Sequence, residues 1–241
     1  MAPVARGLSD AYWVVEPFQR KSGDEPLTVA RHVADLRETI NFHAADFRPA
    51  LLGASWGAML ALAYASAHPS SVGPLILVGC GTFDLVARAE LHRIIAERMT
   101  DVIRARLKDA EQLDPDERLK ASAEATTPIY SYDPLTSPHK EDEVDARAHD
   151  ETWDDMLRLQ REGIYPAAFA AIKAPVLMVH GTFDPLPGRL IAKGLRPYLP
   201  QLDYRELERC GHYQWLEKAA ADTFFSLIRE WLDQHTERPG T

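Results

Sequence analysis

The sequence is poor in several features, and each shortage excludes a class of protein. It has two cysteines in 241 residues, Cys80 and Cys210. Two thiols without zinc-type spacing exclude a disulfide-stapled fold and a structural zinc site. No apolar run approaches the ~18 residues that a membrane span requires. Basic residues number 27 against 36 acidic ones. The resulting net charge of −9 argues against a nucleic-acid partner or an anionic membrane surface.

The N-terminus also lacks the basic-then-apolar pattern of an export signal, so we expect a cytoplasmic location and no membrane partner. What the chain does have is length and apolar content. Hydrophobic residues make up 46% of its 241 positions. This is enough to bury a sizeable core as one large domain or as a domain that carries an insertion. The sequence leaves the oligomeric state open.

Short apolar runs alternate with helical patterns at both ends of the chain. The predicted strands are residues 12–15, 49–53, 74–79, 175–180 and 202–207. Helices are predicted at residues 2–9, 28–40, 58–67, 186–198 and 220–231. Uninterrupted apolar strands that alternate with helices are typical of a parallel sheet covered on both faces. We therefore predict an α/β fold with a mostly parallel sheet flanked by helices.

The alternation breaks between residues 85 and 173, where no convincing strand is present. Helical spacing continues from Leu91 to Leu107, Pro115 marks a second helix start, and a final amphipathic helix surrounds Met156. Residues 128–134 are predicted to form a loop. The interpretation is a helical insertion of residues 85–173 within a core formed by residues 1–84 and 174–241.

The most informative stretch surrounds Ser55. Gly53, Ser55 and Gly57 form the pattern G-x-S-x-G between an apolar run and an Ala/Leu-rich helical run. A serine on a sharp strand-to-helix turn adopts strained backbone angles and needs very small neighbours, which would explain both glycines. Such a turn presents the hydroxyl at a helix N-terminus. There the backbone N–H of Trp56 could stabilise a developing oxyanion.

A nucleophilic serine needs a histidine that takes its proton. The chain has nine histidines. His212 lies in a glycine-bearing loop after the last predicted strand, where an imidazole could reach Ser55, and it is the predicted base. Four others are interpreted as surface groups: His32, His43, His68 and His235. Three belong to the insertion: His92, His139 and His149. His180 is interpreted as a packed strand end.

The histidine needs an acid that orients it. Asp184 and Asp84 both follow apolar strands in matching Gly-Thr-Phe-Asp stretches, and the chain order serine, aspartate, histidine fits either. Asp184 is the predicted acid because it lies one helix and one strand before His212. Asp84 is the rival, and the aspartate that is not used would form a turn.

These stretches resemble the α/β-hydrolase family, and within it the proline-iminopeptidase-like branch. The resemblance extends from Tyr12 to Trp231 and rests on residues 53–57, 181–184 and 211–212. It implies that the helical insertion is a cap over the active site that sets substrate choice. It also implies no metal or organic cofactor. The expected reaction is hydrolysis of a small ester, amide or peptide through an acyl-enzyme on Ser55.

The chain departs from the family at one place. The family has a further strand ending in His-Gly, whose loop supplies a second oxyanion N–H. In the family's order this strand lies between those that match residues 12–15 and 49–53, and this sequence has no counterpart. Its absence should leave a gap in the sheet, or the two neighbouring strands should pair directly. Either the sequence is then incomplete, or the protein is a degenerate member of the family. An impaired or non-catalytic binding protein is therefore an alternative hypothesis, and an acyl transferase is another.

A narrower hypothesis makes the protein an aminopeptidase. Carboxylates of the insertion would then bind the amine of the substrate, and the candidates are Glu141, Asp142, Glu143 and Glu151. An acidic run is more often a solvated face, which is the alternative interpretation.

Overall fold

The computed structural model describes residues 1–45, 47–138 and 144–236. Within these residues four parallel strands form one sheet in the order β1-β2-β3-β4. Leu51 lies opposite Leu75, Leu75 opposite Val176, and Val176 opposite Leu202, so the strands start at one level and their carboxyl ends share one edge. The strands are β1 (Leu51–Ala54), β2 (Leu75–Val78), β3 (Val176–Gly181) and β4 (Leu202–Leu207). The predicted α/β class is confirmed.

Helices surround this sheet, and none of those described is long and apolar enough to cross a membrane. Those that alternate with strands are α1 (Ala2–Leu8), α2 (Val29–His43), α3 (Trp56–Ala67), α8 (Gly188–Leu195) and α9 (Ala221–His235). Four more lie between β2 and β3: α4 (Leu85–Arg98), α5 (Asp101–Ala110), α6 (Pro115–Tyr130) and α7 (Ala146–Arg161). The described residues between 85 and 173 thus contain helices and no strand, as predicted.

The sheet separates two hydrophobic layers. In β2, Leu75 and Leu77 pack in the layer that contains α2, α3 and α8, whereas Ile76 and Val78 pack in the layer that contains α1 and α9. All four side chains are fully buried. Successive strand residues face opposite sides, so a strand covered on both faces must be apolar at every position. This explains the uninterrupted apolar runs in the sequence.

The predicted strand at residues 12–15 is wrong. These residues have no regular structure, and the Trp13 side chain is 67% exposed. The Tyr12 hydroxyl instead donates to the Arg229 carbonyl of α9 at 3.3 Å. β1 is the edge strand of the described sheet. A strand forms only where its backbone N–H and C=O groups find a partner strand, and residues 12–15 have none in the described chain. The described sheet therefore ends at β1, and residues 12–15 do not pair directly with it.

Two predictions within residues 85–173 are corrected. The continuous helical pattern from Leu91 to Leu107 is divided into α4 and α5, because the Thr100 hydroxyl accepts the Ile103 N–H and begins a new helix. Residues 128–130, predicted as loop, are the last turn of α6. Ile129 in that turn is fully buried. Its packing outweighs the hydrogen bond that Pro128 cannot donate.

The turn between β1 and α3 has the strained geometry that the sequence predicts. Ser55 has φ 53° and ψ −116°. A Cβ atom on Gly53 would lie 2.1 Å from the Gly57 carbonyl oxygen, so strand and helix backbones approach too closely for any side chain there. A Cβ atom on Gly57 would meet no atom within 4 Å. The expectation that both glycines are needed for space is therefore wrong for Gly57.

The two glycines should respond differently to the same substitution. Gly53→Ala forces the backbones apart and should lower the free energy of unfolding by about 3 kcal/mol. Gly57→Ala lies in a helix with open space around it and should change stability by less than about 1 kcal/mol, in the stabilising direction. Urea unfolding of both variants measures the difference. Equal losses would contradict the close approach at Gly53.

Candidate active site

Asp184 and His212, the predicted acid and base, form a hydrogen bond at the carboxyl edge of the sheet. His212 Nδ1 lies 2.9 Å from Asp184 Oδ2. The other carboxylate oxygen, Oδ1, accepts the Leu186 N–H at 3.0 Å. Both side chains are buried. Since a carboxylate only accepts, Nδ1 carries the hydrogen and Nε2 is left to accept a proton.

The end of β2 brings Ser55 to this pair. The Ser55 N–H donates to the Val78 carbonyl at 2.8 Å. The next residue, Gly79, has φ +54°, and a Cβ atom there would lie 2.7 Å from His212 Nδ1 and 3.3 Å from Asp184 Oδ2. The imidazole therefore rests on the backbone one residue beyond the Ser55 hydrogen bond. The sequence reasoning missed Gly79, although a glycine directly after a buried strand was the available signal.

The Ser55 hydroxyl has no hydrogen bond to His212 in the described chain. Serine and histidine are often loosely arranged in a free enzyme and come together on the substrate. Trp56 is the first residue of α3, so its N–H has no acceptor within the helix and faces the same edge. The predicted residues Ser55, Trp56, Asp184 and His212 are thus brought to one end of the sheet.

The rival acid, Asp84, has a different role. Its Oδ1 accepts the Ala87 N–H at 2.8 Å and caps the N-terminus of α4.

The interpretation of His32 also changes, because His32 is not a surface group but only 3% exposed. His32 Nε2 lies 2.9 Å from the Thr152 hydroxyl of α7, and the ring packs edge-on against Trp56 at 5.9 Å. Helical periodicity alone did not distinguish this buried position from an exposed one.

The surroundings of Asp184 favour its ionised form. Burial alone raises the pKa of this carboxyl, but the charge and hydrogen bond of His212 and the nearby imidazole of His180 bring the pKa below its ordinary value of 3.8. The two cysteines are free and buried. Burial raises the pKa of the Cys80 thiol to about 12, so this group is protonated at neutral pH.

The region between β2 and β3 contacts the loops that carry Asp184 and His212. The His212 N–H donates to the Tyr130 carbonyl at the end of α6 at 2.7 Å. Arg98 of α4 donates through Nη1 to the carbonyls of Ile129 at 2.8 Å and Phe183 at 2.6 Å. Its guanidinium also lies 3.7 Å from the centroid of the Phe183 ring. One cation therefore joins the last turn of α6 to the residue before Asp184.

A buried carboxylate strengthens this connection on the other side of His212. Glu217 is fully buried. Its Oε1 accepts the N–H groups of Tyr132 at 2.8 Å and Gly211 at 3.1 Å, and its Oε2 accepts the Asp133 N–H at 2.7 Å. Three charge-assisted bonds hold the residue before His212 against the segment that follows α6. The sequence reasoning missed Glu217, since a glutamate before a helix carries no distinctive pattern.

Of the four acidic residues proposed from the sequence as ligands of a substrate amine, the structure describes one, Glu151. Glu141, Asp142 and Glu143 lie outside the described residues. Glu151 accepts the Leu27 N–H at 2.8 Å and Arg147 Nε at 2.7 Å. Both of its oxygens are thus engaged within the protein. In the described ranges, no cluster of three or more His, Cys, Asp or Glu side chains is placed to hold a metal ion.

A parallel α/β sheet with a serine on a strained strand-to-helix turn is typical of the α/β hydrolases as a class of protein. Residues 1–224 match the family model described as "Alpha/beta hydrolase family". The chain belongs to this family, and the protein is a hydrolase.

Similar proteins agree with this assignment. The proline iminopeptidase of Lactobacillus crispatus is 30% identical, with 86% of this chain and 72% of the relative covered. That of Lactobacillus helveticus is 29% identical, with 83% and 70% covered. The structure of the esterase EaEST from Exiguobacterium antarcticum has a TM-score of 0.60 at 20% identity, covering 88% of this chain and 76% of that one. Because its identity to this chain is 20%, the esterase supports the fold alone.

Replacing the buried carboxylate of Glu217 should destabilise the protein. In Glu217→Gln the amide nitrogen faces backbone donors, so a bond is lost and donors are left unsatisfied, at a cost of about 3 kcal/mol. The exposed Glu208 offers a matched control, and Glu208→Gln should change the free energy of unfolding by less than about 0.5 kcal/mol. Urea unfolding compares them, and similar values for the two variants would contradict the role of Glu217.

The lowered pKa of Asp184 predicts a pH dependence of stability. A carboxyl whose pKa is lower in the folded chain stabilises the fold above its unfolded pKa, and this contribution is lost as the pH falls towards the folded value. Between about pH 5 and about pH 3, the native protein should therefore lose about 1 kcal/mol more than Asp184→Asn. Urea unfolding at the two pH values measures this. Equal losses in both proteins would contradict the prediction.

Proposed function

We propose that the protein is a serine hydrolase that cleaves a small ester, amide or peptide through an acyl-enzyme on Ser55. The observation that carries the proposal is the buried hydrogen bond between His212 and Asp184, which lies beside the strained turn of Ser55. A serine hydroxyl becomes nucleophilic when an oriented imidazole takes its proton.

In the proposed reaction, Ser55 Oγ attacks the carbonyl carbon of the substrate while His212 Nε2 takes the hydroxyl proton. The Trp56 N–H stabilises the oxyanion, and Asp184 stabilises the imidazolium. His212 then gives its proton to the leaving group, and the acyl-enzyme forms. Water, activated by the same imidazole, releases the acid and restores Ser55.

The helical insertion of residues 85–173 acts as the cap in this proposal, and residues 1–84 and 174–241 form the core. The bond between the His212 N–H and the Tyr130 carbonyl supports this division, because it connects the end of α6 to the base. Side chains of the cap would then line the approach to Ser55 and select the substrate.

The similarity to two Lactobacillus proteins named proline iminopeptidase favours a narrower version of the proposal. The substrate would then be a peptide with an N-terminal proline, and the reaction would release that residue. The engaged oxygens of Glu151 argue against it as the ligand of the substrate amine.

One observation favours a second candidate, a member of this hydrolase family whose turnover is impaired. β1 is the edge strand of the described sheet, so this sheet has no further strand beyond β1 whose loop would carry a second oxyanion donor. Loss of one such donor costs about 10²–10³ in turnover. Covalent labelling of Ser55 separates the two candidates.

Covalent labelling with a fluorophosphonate tests the proposal directly. We expect the native protein to be labelled and Ser55→Ala to be unlabelled, because the reagent reacts with activated serines. Ser70→Ala is the matched control, since this serine is exposed in the turn after α3, and it should be labelled like the native protein. An unlabelled, folded native protein would contradict an active Ser55.

Substrate profiling then separates the versions of the proposal. Proline p-nitroanilide tests the iminopeptidase version, and p-nitrophenyl acetate and butyrate test ester hydrolysis. Product analysis in the presence of an alcohol acceptor distinguishes hydrolysis from acyl transfer. Turnover of the esters without turnover of the prolyl amide would contradict the narrower version only.

A further inference from the structure

A second histidine touches the acid, and the proposed reaction gives it no role. His180 lies in β3, and its side chain is fully buried. Its Nδ1 atom is 3.5 Å from Asp184 Oδ2, the oxygen that also binds His212. Neither ring nitrogen of His180 has a hydrogen bond partner within the described residues. A buried imidazole without partners is costly, so its position calls for a physical reason.

The contact fixes how His180 is protonated. At 3.5 Å the pair is longer than an ordinary N–H···O bond, yet Asp184 Oδ2 is the polar atom that Nδ1 faces. A lone pair on Nδ1 would be repelled by the carboxylate, whereas a hydrogen there is attracted. The contact therefore favours a hydrogen on Nδ1 that is directed at Oδ2.

The ring is also held in place by its neighbours. A Cβ atom on Gly188 would lie 2.6 Å from His180 Cγ, so the backbone at the start of α8 rests against the imidazole. The Tyr204 ring of β4 lies 6.2 Å away on centroids. Packing of this kind restricts rotation of the ring away from Asp184.

Other titratable groups interact electrostatically with Asp184 or His180, namely Arg98 from α4, Tyr130 from α6, Tyr204 and Glu206 from β4, and Cys210 and His212 from the following loop. Among them His212 is the group that binds Asp184 directly, at 2.9 Å. Tyr204 donates its hydroxyl to Glu206 at 2.7 Å and not to Asp184. His180 and His212 are thus the two imidazoles that share Oδ2.

We propose that His180 is a positioning residue, whose Nδ1–H orients the Asp184 carboxylate and divides its negative charge with His212. The effect of His180 on turnover rests on the proposed function. A carboxylate that is partly neutralised by a second donor stabilises the charged form of His212 less than a free one does. His180 would therefore make His212 release its proton more readily.

Without the His180 hydrogen, Asp184 directs its full charge at His212, and the imidazolium of His212 persists to higher pH. His180→Leu removes the donor. His180→Asn is the matched variant, because the asparagine nitrogen can occupy the position of Nδ1 while the imidazole is lost in both.

The first measurement is ¹⁵N NMR of the imidazole groups, which needs no turnover. In His180→Leu the midpoint of the His212 titration should rise by about 0.5–1 pH unit, and in His180→Asn it should stay close to the native value. An unchanged midpoint in His180→Leu would overturn the proposal. If neither variant folds, the native spectrum decides. A His180 protonated on Nε2 and not on Nδ1 would overturn it equally.

The second measurement uses the hydrolase substrates. His180→Leu should lower kcat about tenfold, leave KM unchanged and move the acidic limb of the kcat/KM profile to higher pH. His180→Asn should restore most of kcat and the native limb. A rise in KM with native kcat would contradict a positioning role. An inert native protein with the expected NMR titrations would refute the proposed hydrolysis and leave the contact of His180 with Asp184 supported.

Discussion

The buried negative charge of Asp184 is the feature on which the carboxyl edge of the sheet depends. A carboxylate out of contact with water needs several donors, and here an imidazole, a backbone N–H and a second imidazole approach its two oxygens. These contacts determine where His212 lies and which of its nitrogens carries the hydrogen. His212 is therefore oriented by the same interactions that stabilise the buried carboxylate of Asp184.

The helical region between β2 and β3 takes part in this arrangement through backbone groups. Arg98 binds the carbonyls of Ile129 and Phe183, and Glu217 binds N–H groups on both sides of the contact between Tyr130 and His212. Because a guanidinium and a carboxylate satisfy several peptide groups at once, two side chains are enough to join this region to the loops of Asp184 and His212. A movement of α6 would therefore also displace the loop of His212.

The sequence alone determined the elements whose causes are local. Apolar runs predicted four of the strands, because a strand covered on both faces must be apolar at each position. The strained turn at Ser55 followed from Gly53, where strand and helix backbones leave no space for a side chain. The choice of Asp184 and His212 followed from strand ends, since parallel strands bring their carboxyl ends to one edge. The predicted site residues needed no knowledge of packing beyond that rule.

Only the tertiary structure decided what depends on a distant partner. Residues 12–15 have the composition of a strand, yet no strand lies beside them in the described chain, so their backbone does not pair. Gly79, His180 and Glu217 gain their roles from groups that are remote in sequence or brought near by a loop, and no spacing rule marks them. Periodicity records which face of an element is apolar. It does not record which neighbour that face will meet, because the neighbour is set by the fold as a whole.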